Sequence, residues 1–361
     1  MKITAIGGEV KIGTGAFERS SVAWTNDGRL VVAADMGEKP ILWFGEEPVR
    51  GAAFTMRELV DGMAKNPIYA NRCFLPRVVV DAEGYVWVSF KTGTKELDAK
   101  GATGTTRGVA LAEVVDGDQP EVILALADVG HGQAEPIPGR AGAMVLGTLG
   151  KWALFDQTLS KLVSGTFGAA GASGEKIQFR IGYKALKKEV VWHTCHNGYS
   201  KQSSRYACTG MGGVTWADFS TYRAQGSDTN HPGLGVDAKK PGRAVMGSVF
   251  DGALRVNVAL NGVLTYQPTS LPSLGEATLE TRFGPQFVKI PTKGGGMLCL
   301  WNKKGTIRLA HVEAALDGAA GAAVDVCAGK FAAGAMRGSV LAVTYARAGA
   351  LWKREFKVEV T

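Results

Sequence analysis

The sequence predicts an all-β protein, a single β-propeller domain over residues 1–361 with about seven four-stranded blades, closed by pairing of its N- and C-terminal strands. Three observations carry that prediction. The 361 residues include 49 glycines without a collagen-like period, as many tight turns between short strands require. A strand, a tight polar turn and a second strand recur along the whole chain. Amphipathic helical periodicity is nearly missing.

The recurring unit appears first as SVAWT-NDG-RLVVAAD around Gly28, then as PRVVV-DAEG-YVWVSF around Gly84 and AGAMVLG-TLG-KWALFD around Gly150. IGYKAL-KK-EVVWHTC follows near Lys187, and then come RAVMGSV-FDG-ALRVNVAL, MLCLW-NKKG-TIRLAHV and SVLAVTY-ARAG-ALWKREFKV around Gly252, Gly305 and Gly349. Successive turns are 56, 66, 37, 65, 53 and 44 residues apart, which reads as loop insertions around a unit of about 52 residues. That length suits a four-stranded blade. One sheet cannot cover both of its apolar faces, so sheets stack on one another. The segments KITAIGGEVKI and REFKVEV both read as strands, and the first can complete the last blade and remove an open edge. Phe54 to Asn66, FTMRELVDGMAKN, reads as a short helix inserted between the first two blades, with Phe54, Leu59, Val60 and Met63 on one face. Strand patterns alone leave a pair of β-sandwiches or an irregular barrel open.

Hydrophobic residues make up 45% and charged residues 20%, an ordinary globular balance. The net charge of +8 comes from 41 Lys and Arg scattered among 33 Asp and Glu, a pattern that disfavours nucleic acid and equally allows an acidic polysaccharide or cell envelope as partner. Cys73, Cys195, Cys208, Cys299 and Cys327 form no CxxC pair, and most lie in apolar runs, so they read as reduced, buried thiols. The start has no apolar signal-peptide core, and no run approaches the ~18 apolar residues of a membrane span. Synthesis in the cytosol, with release by lysis or a dedicated machine, is the expectation.

The segment LPRVVVDAEGYVWVSF, Leu75 to Phe90, resembles the blade signature of the sialidase-like, BNR-type propellers, in which Pro opens the lead strand and a D-x-x-G turn leads into an aromatic-rich second strand. The resemblance implies the propeller fold. It does not extend to the sialidase active site: no S-x-D-x-G-x-x-W box is intact, and FLPR (Phe74 to Arg77) and FRIG (Phe179 to Gly182) only echo the arginine segment of that family. The related polysaccharide-lyase propellers place histidines on either side of this signature. Here Asn71, Arg72 and Cys73 precede Pro76, and no histidine lies between Phe90 and Gly130.

The dense polar cluster of the chain runs from Trp192 to Arg223, with His231 just beyond. It reads as a long polar loop region near residues 193–235 and supplies the candidate ligand-binding residues His193, His196, Tyr199, Arg205, Tyr206, Trp216, Tyr222 and Arg223. Flat aromatic rings suit sugar faces, and Arg holds hydroxyls or acidic groups. On one strand His193 and His196 would point to opposite faces, which disfavours zinc, so no metal or other cofactor is predicted. Gly294 to Gly296 reads as a turn leading into a strand, Asp325 and Cys327 as packing residues, and His311 as a blade histidine bonded to nearby backbone.

These observations support a non-enzymatic propeller for surface or glycan recognition, compatible with a virion or phage-tail component that contacts a receptor and other assembly proteins. A lyase or glycosidase acting on acidic polysaccharide is the enzymatic alternative, and an intracellular protein-interaction scaffold the third.

Overall fold

The computed structural model describes residues 1–36, 39–45, 54–58, 73–92, 108–114, 121–130, 132–166, 176–184, 189–197, 204–210, 216–221, 232–237, 240, 242–260, 263–266, 270–280, 284–291, 296–318 and 323–360. They form seven sheets in sequence order, built mainly of consecutive strands that pair as meanders, which is the blade pattern of a β-propeller.

The chain divides into two compact units. One comprises Val10–Ala172 with Ala348–Trp352, and the other comprises Met1–Glu9, Ser173–Arg347 and Lys353–Thr361. Most of the first strand, β1 (Lys2–Thr14), belongs to the second unit.

The first unit holds three sheets. They are β2 (Phe17–Trp24), β3 (Leu30–Met36), β4 (Lys39–Gly45) and β5 (Phe54–Glu58); then β6 (Cys73–Val80), β7 (Val86–Thr92), β8 (Gly108–Val114) and β9 (Val122–Ala127); then β10 (Gly132–Pro136), β11 (Ala143–Gly147), β12 (Lys151–Phe155) and β13 (Lys161–Thr166). The core lies between consecutive sheets. Val31, Ala33 and Leu42 meet Val78, Val88 and Phe90 between the first and second, and Val79, Trp87 and Leu111 meet Val145, Ala153 and Phe155 between the second and third.

The second unit begins with β14 (Lys176–Lys184), β15 (Glu189–Asn197), β16 (Ser204–Gly210) and β17 (Trp216–Thr221). The fifth sheet has β18 (Gly233–Val236), β19 (Arg243–Phe250), β20 (Ala253–Leu260), the two-residue β21 (Val263–Leu264), and β22 (Ser273–Glu276), which also pairs with β20. The sixth has β23 (Gln286–Lys289), β24 (Met297–Lys303), β25 (Thr306–His311) and β26 (Ala323–Ala328), with the short helix α1 (Val312–Leu316) after β25. The seventh has β27 (Lys330–Arg337), β28 (Val340–Arg347) and β29 (Ala350–Glu359), and β1 joins it beside β29, so the two ends of the chain share one sheet. The strand pairing expected of the termini is therefore present.

Three sequence expectations need correction. Phe54–Glu58 is a strand: Trp43 pairs with Met56 and Gly45 with Phe54, so sheet completion overrides the local helical spacing, and residues 59–66 lie outside the described residues. Within the region 193–235, residues 193–197, 204–210 and 216–221 are strands of a full sheet, because polar side chains on a strand conceal its period-two pattern, and residues 198–203, 211–215 and 222–231 lie outside the described residues. The uneven spacing of the turns also has a different main cause. The hairpins at Gly28, Gly84 and Lys187 join the first and second strands of their sheets, whereas those at Gly150, Gly252, Gly305 and Gly349 join the second and third. The intervals of 66, 37 and 65 residues are the ones that connect unlike hairpins.

Candidate functional site

The fourth sheet carries the predicted cluster, and its register sorts the residues. Ile177, His196, Arg205 and Thr221 are successive partners across β14, β15, β16 and β17, forming one row. Tyr206 lies in the neighbouring row with Gln178, Cys195 and Ser220. This row lies near the end of the sheet where β15 leads to β16 and where β17 finishes. Tyr199 falls in the sequence between β15 and β16, and Tyr222 and Arg223 follow Thr221 directly; these three lie outside the described residues.

Two predicted residues sit apart. Trp216 starts β17 and pairs with Thr209, which pairs with Trp192, four positions along β15 from His196, or about 13 Å at strand rise. His193 is fully buried and occupies the position between Arg180 and Cys208. Three residues apart on unbroken β15, His193 and His196 take positions on opposite faces, as the alternation predicts. A buried His193 belongs to the fold and not to a ligand-contacting surface.

The arginines of the two echo segments are occupied as well. Arg77 donates to Glu135 Oε1 through Nη2 at 2.7 Å and Nε at 3.1 Å, and buried Arg180 donates through Nη1 to the Phe179 carbonyl at 2.7 Å. On β2, the buried Arg19 reaches Asp35 Oδ2 at 2.9 Å, and that oxygen also accepts the Leu75 N–H at 3.3 Å. Carboxylates of the fold thus take the charges of Arg19 and Arg77, which otherwise would suit an acidic ligand.

The sequence reading missed a second polar cluster, between the fifth and sixth sheets. Arg243 Nη1 bridges Asp237 Oδ2 at 3.3 Å and Glu313 Oε1 at 2.5 Å, while Glu313 Oε2 accepts the Met297 N–H at 3.2 Å and lies 3.1 Å from His311 Nε2. Burial pulls the pKa of His311 down and the charge of Glu313 opposes it. His311 therefore has a carboxylate neighbour, not the backbone partner expected. Gly296, with φ +91°, leaves the space that this pair fills: a Cβ there would come within 2.9 Å of Glu313 Oε2 and 3.0 Å of His311 Nε2. Seventy residues separate Arg243 from Glu313, so no local motif could announce them.

Packing at the other singled-out positions is mixed. Cys327 is buried and its thiol is pushed up to about 12 by that burial, but Asp325 is largely exposed and pairs with Arg308 at 2.9 Å. Cys195, Cys299 and Cys327 are buried and are not joined in disulfides. Among the described residues, no group of three or more His, Cys, Asp or Glu side chains is arranged to hold a metal, and no helix is long and apolar enough to cross a membrane.

No known protein family matches the sequence, and no curated protein is similar to it. Solved structures are similar over nearly its whole length. Hydrazine synthase of Kuenenia stuttgartiensis aligns over 98% of this chain and 99% of its own with a TM-score of 0.59 at 11% identity. A protein of unknown function from Dyadobacter fermentans aligns over 99% of both chains with a TM-score of 0.55 at 11% identity. A Hadza microbial sialidase, Hz136, aligns over 94% of this chain and 65% of its own, with a TM-score of 0.52 at 13% identity. At such identities the likeness establishes the fold, a β-propeller that includes sialidases among its structural neighbours.

Proposed function

We propose that this chain is a non-enzymatic recognition propeller that binds an acidic glycan or polysaccharide of a cell surface at the end of its fourth sheet. The observation that supports this is the row pairing His196 with Arg205, which share one face, with Tyr199, Tyr222 and Arg223 encoded in the segments that follow the same end, while Tyr206, next to Arg205 on β16, takes the opposite face. Arginine suits a sugar carboxylate, and tyrosine suits the C–H faces of its ring. Segments projecting from a rigid sheet are where propellers carry variable recognition residues. Net charge of +8 favours the approach of a polyanion.

Calorimetric titration against uronate-containing and neutral oligosaccharides tests the reading. Binding to the acidic set, weakening as salt is added, is the expected result; heat-silent titrations across both sets would overturn it. The enzymatic alternative requires a base that reaches substrate; buried His193 does not offer one, which leaves His196 and the tyrosines of the cluster as its candidates. Incorporation into a virion or other particle is a further proposal, tested by finding the chain in purified particles.

A further inference from the structure

Glu280 lies on the connection between β22 and β23, where the chain crosses the turn between β24 and β25. That crossing is fixed by the Thr278 N–H on the Asn302 carbonyl at 2.8 Å and by the Lys304 N–H on Thr278 Oγ1 at 2.7 Å. From there Glu280 Oε1 accepts the Phe331 N–H at 2.7 Å, at the start of β27. The start of β27 is irregular. Phe331 adopts φ +55°, a left-handed conformation costly for an aromatic residue, Gly329 has φ +153°, and the pairing with β28 slips between Lys330 and Ala333.

Three hydrogen bonds among the described residues help to hold this segment in place. The Gly329 N–H donates to the Gly305 carbonyl at 2.8 Å, and Asn302 Nδ2 donates to the Gly329 carbonyl at 2.8 Å. Those two do not titrate. The third, from Glu280, does.

Burial raises the Glu280 carboxyl to about 7, against the opposing effects of the Phe331 amide and the Lys330 charge. Among the described residues, Lys330 is the charge that acts on it. Lys330 stands on β27. Lys303, at the end of β24, and Lys304, on the turn that follows, are held by Glu276 at the end of β22, at 3.2 and 2.7 Å. Arg282, two positions on in the sequence, lies outside the described residues.

We propose that Glu280 is a proton-operated latch on the start of β27: the neutral carboxyl closes over the Phe331 amide, and loss of its proton opens the seam between the β24–β25 turn and β27 to water. The sign follows from linkage. A carboxyl raised in the closed state contributes stability that is complete below its ordinary value, and that stability is lost as pH rises through the raised value. Between those limits the opening constant climbs about tenfold per pH unit, because each opening event releases one proton.

Residue-resolved hydrogen exchange at the Phe331 amide, corrected for the intrinsic pH dependence of exchange, reads this directly. The wild-type protection should fall at least about tenfold from about pH 5 to about pH 7, and that of Glu280→Gln should stay flat. An unchanging wild-type protection, or the same slope in Glu280→Gln, would overturn the latch. Infrared titration of the glutamate carboxyl in the wild-type chain serves if the variant does not fold. Deprotonation near neutrality supports the proposal, and complete ionisation in the ordinary acidic range overturns it.

Discussion

Arg347 grips Glu9 with two nitrogens, Nη2 at 2.6 Å from Oε2 and Nη1 at 3.2 Å from Oε1, while Tyr345 Oη donates to the same Oε1 at 2.6 Å. Glu9 lies on β1 and its partners on β28, so the contact reaches across β29 and reinforces the backbone pairing that joins the ends of the chain. The guanidinium also lies 5.7 Å from the Tyr345 ring centre. Closure of the last sheet thus has a backbone component, legible in the terminal strand patterns, and a charged component that they did not reveal.

Removing that charged component should weaken the sheet without dissolving it. Glu9→Ala is expected to cost about 1–2 kcal/mol, since the pair is charge-assisted and partly open to solvent. The Arg347 guanidinium holds the Glu9 carboxyl below its usual value, so its contribution exists above the ordinary glutamate range and disappears as pH falls through the depressed value. Urea unfolding of wild type and variant at neutral and acidic pH should give a difference that shrinks on acidification.

Asp81 holds the turn of the second sheet. Its Oδ1 accepts the N–H groups of Glu83, Gly84 and Tyr85, each at 3.0 Å, and its Oδ2 accepts Trp87 Nε1 at 3.0 Å and the Gly142 N–H of the third sheet at 2.8 Å. Asp81→Ala orphans these donors and should cost about 3 kcal/mol or more, with Asp81→Asn intermediate because one acceptor oxygen remains. Equal denaturation midpoints for Asp81→Ala and wild type would contradict this account of the turn.

Gly142 has φ +114°, and a Cβ there would run into the Phe155 carbonyl oxygen. Gly142→Ala should therefore destabilise by at least about 2 kcal/mol. Gly139, at φ +77° with nothing near its missing Cβ, is the control: Gly139→Ala carries the backbone strain alone, about 1 kcal/mol. Thermal melts of the two variants should rank in that order.

These residues show what the sequence could reveal. Asp81, Gly84 and Trp87 are close in sequence and make the turn's contacts among themselves, so the second sheet was the clearest to read. The strand pairs around Gly252 and Gly305 are also visible, but a hairpin does not declare which two strands of a blade it joins, so the uneven spacing reads in sequence as insertions. FTMRELVDGMAKN carries helical spacing, and the strand at its start, Phe54–Glu58, is fixed by pairing with Ile41–Gly45 and not by its own periodicity. In the cluster from Trp192 to Arg223 residue types were legible and geometry was not: register joins His196 with Arg205, moves Trp216 to a distant row and buries His193.

The central claim is that ligand meets the end of the fourth sheet, and a hydrogen-exchange footprint of the chain saturated with an acidic oligosaccharide tests it most directly. The account predicts added protection in peptides covering residues 196–206 and 219–223, abolished together with binding in His196→Ala/Arg205→Ala while the melting temperature is kept. Protection confined to other sheets, or undiminished affinity in that double variant, would contradict it.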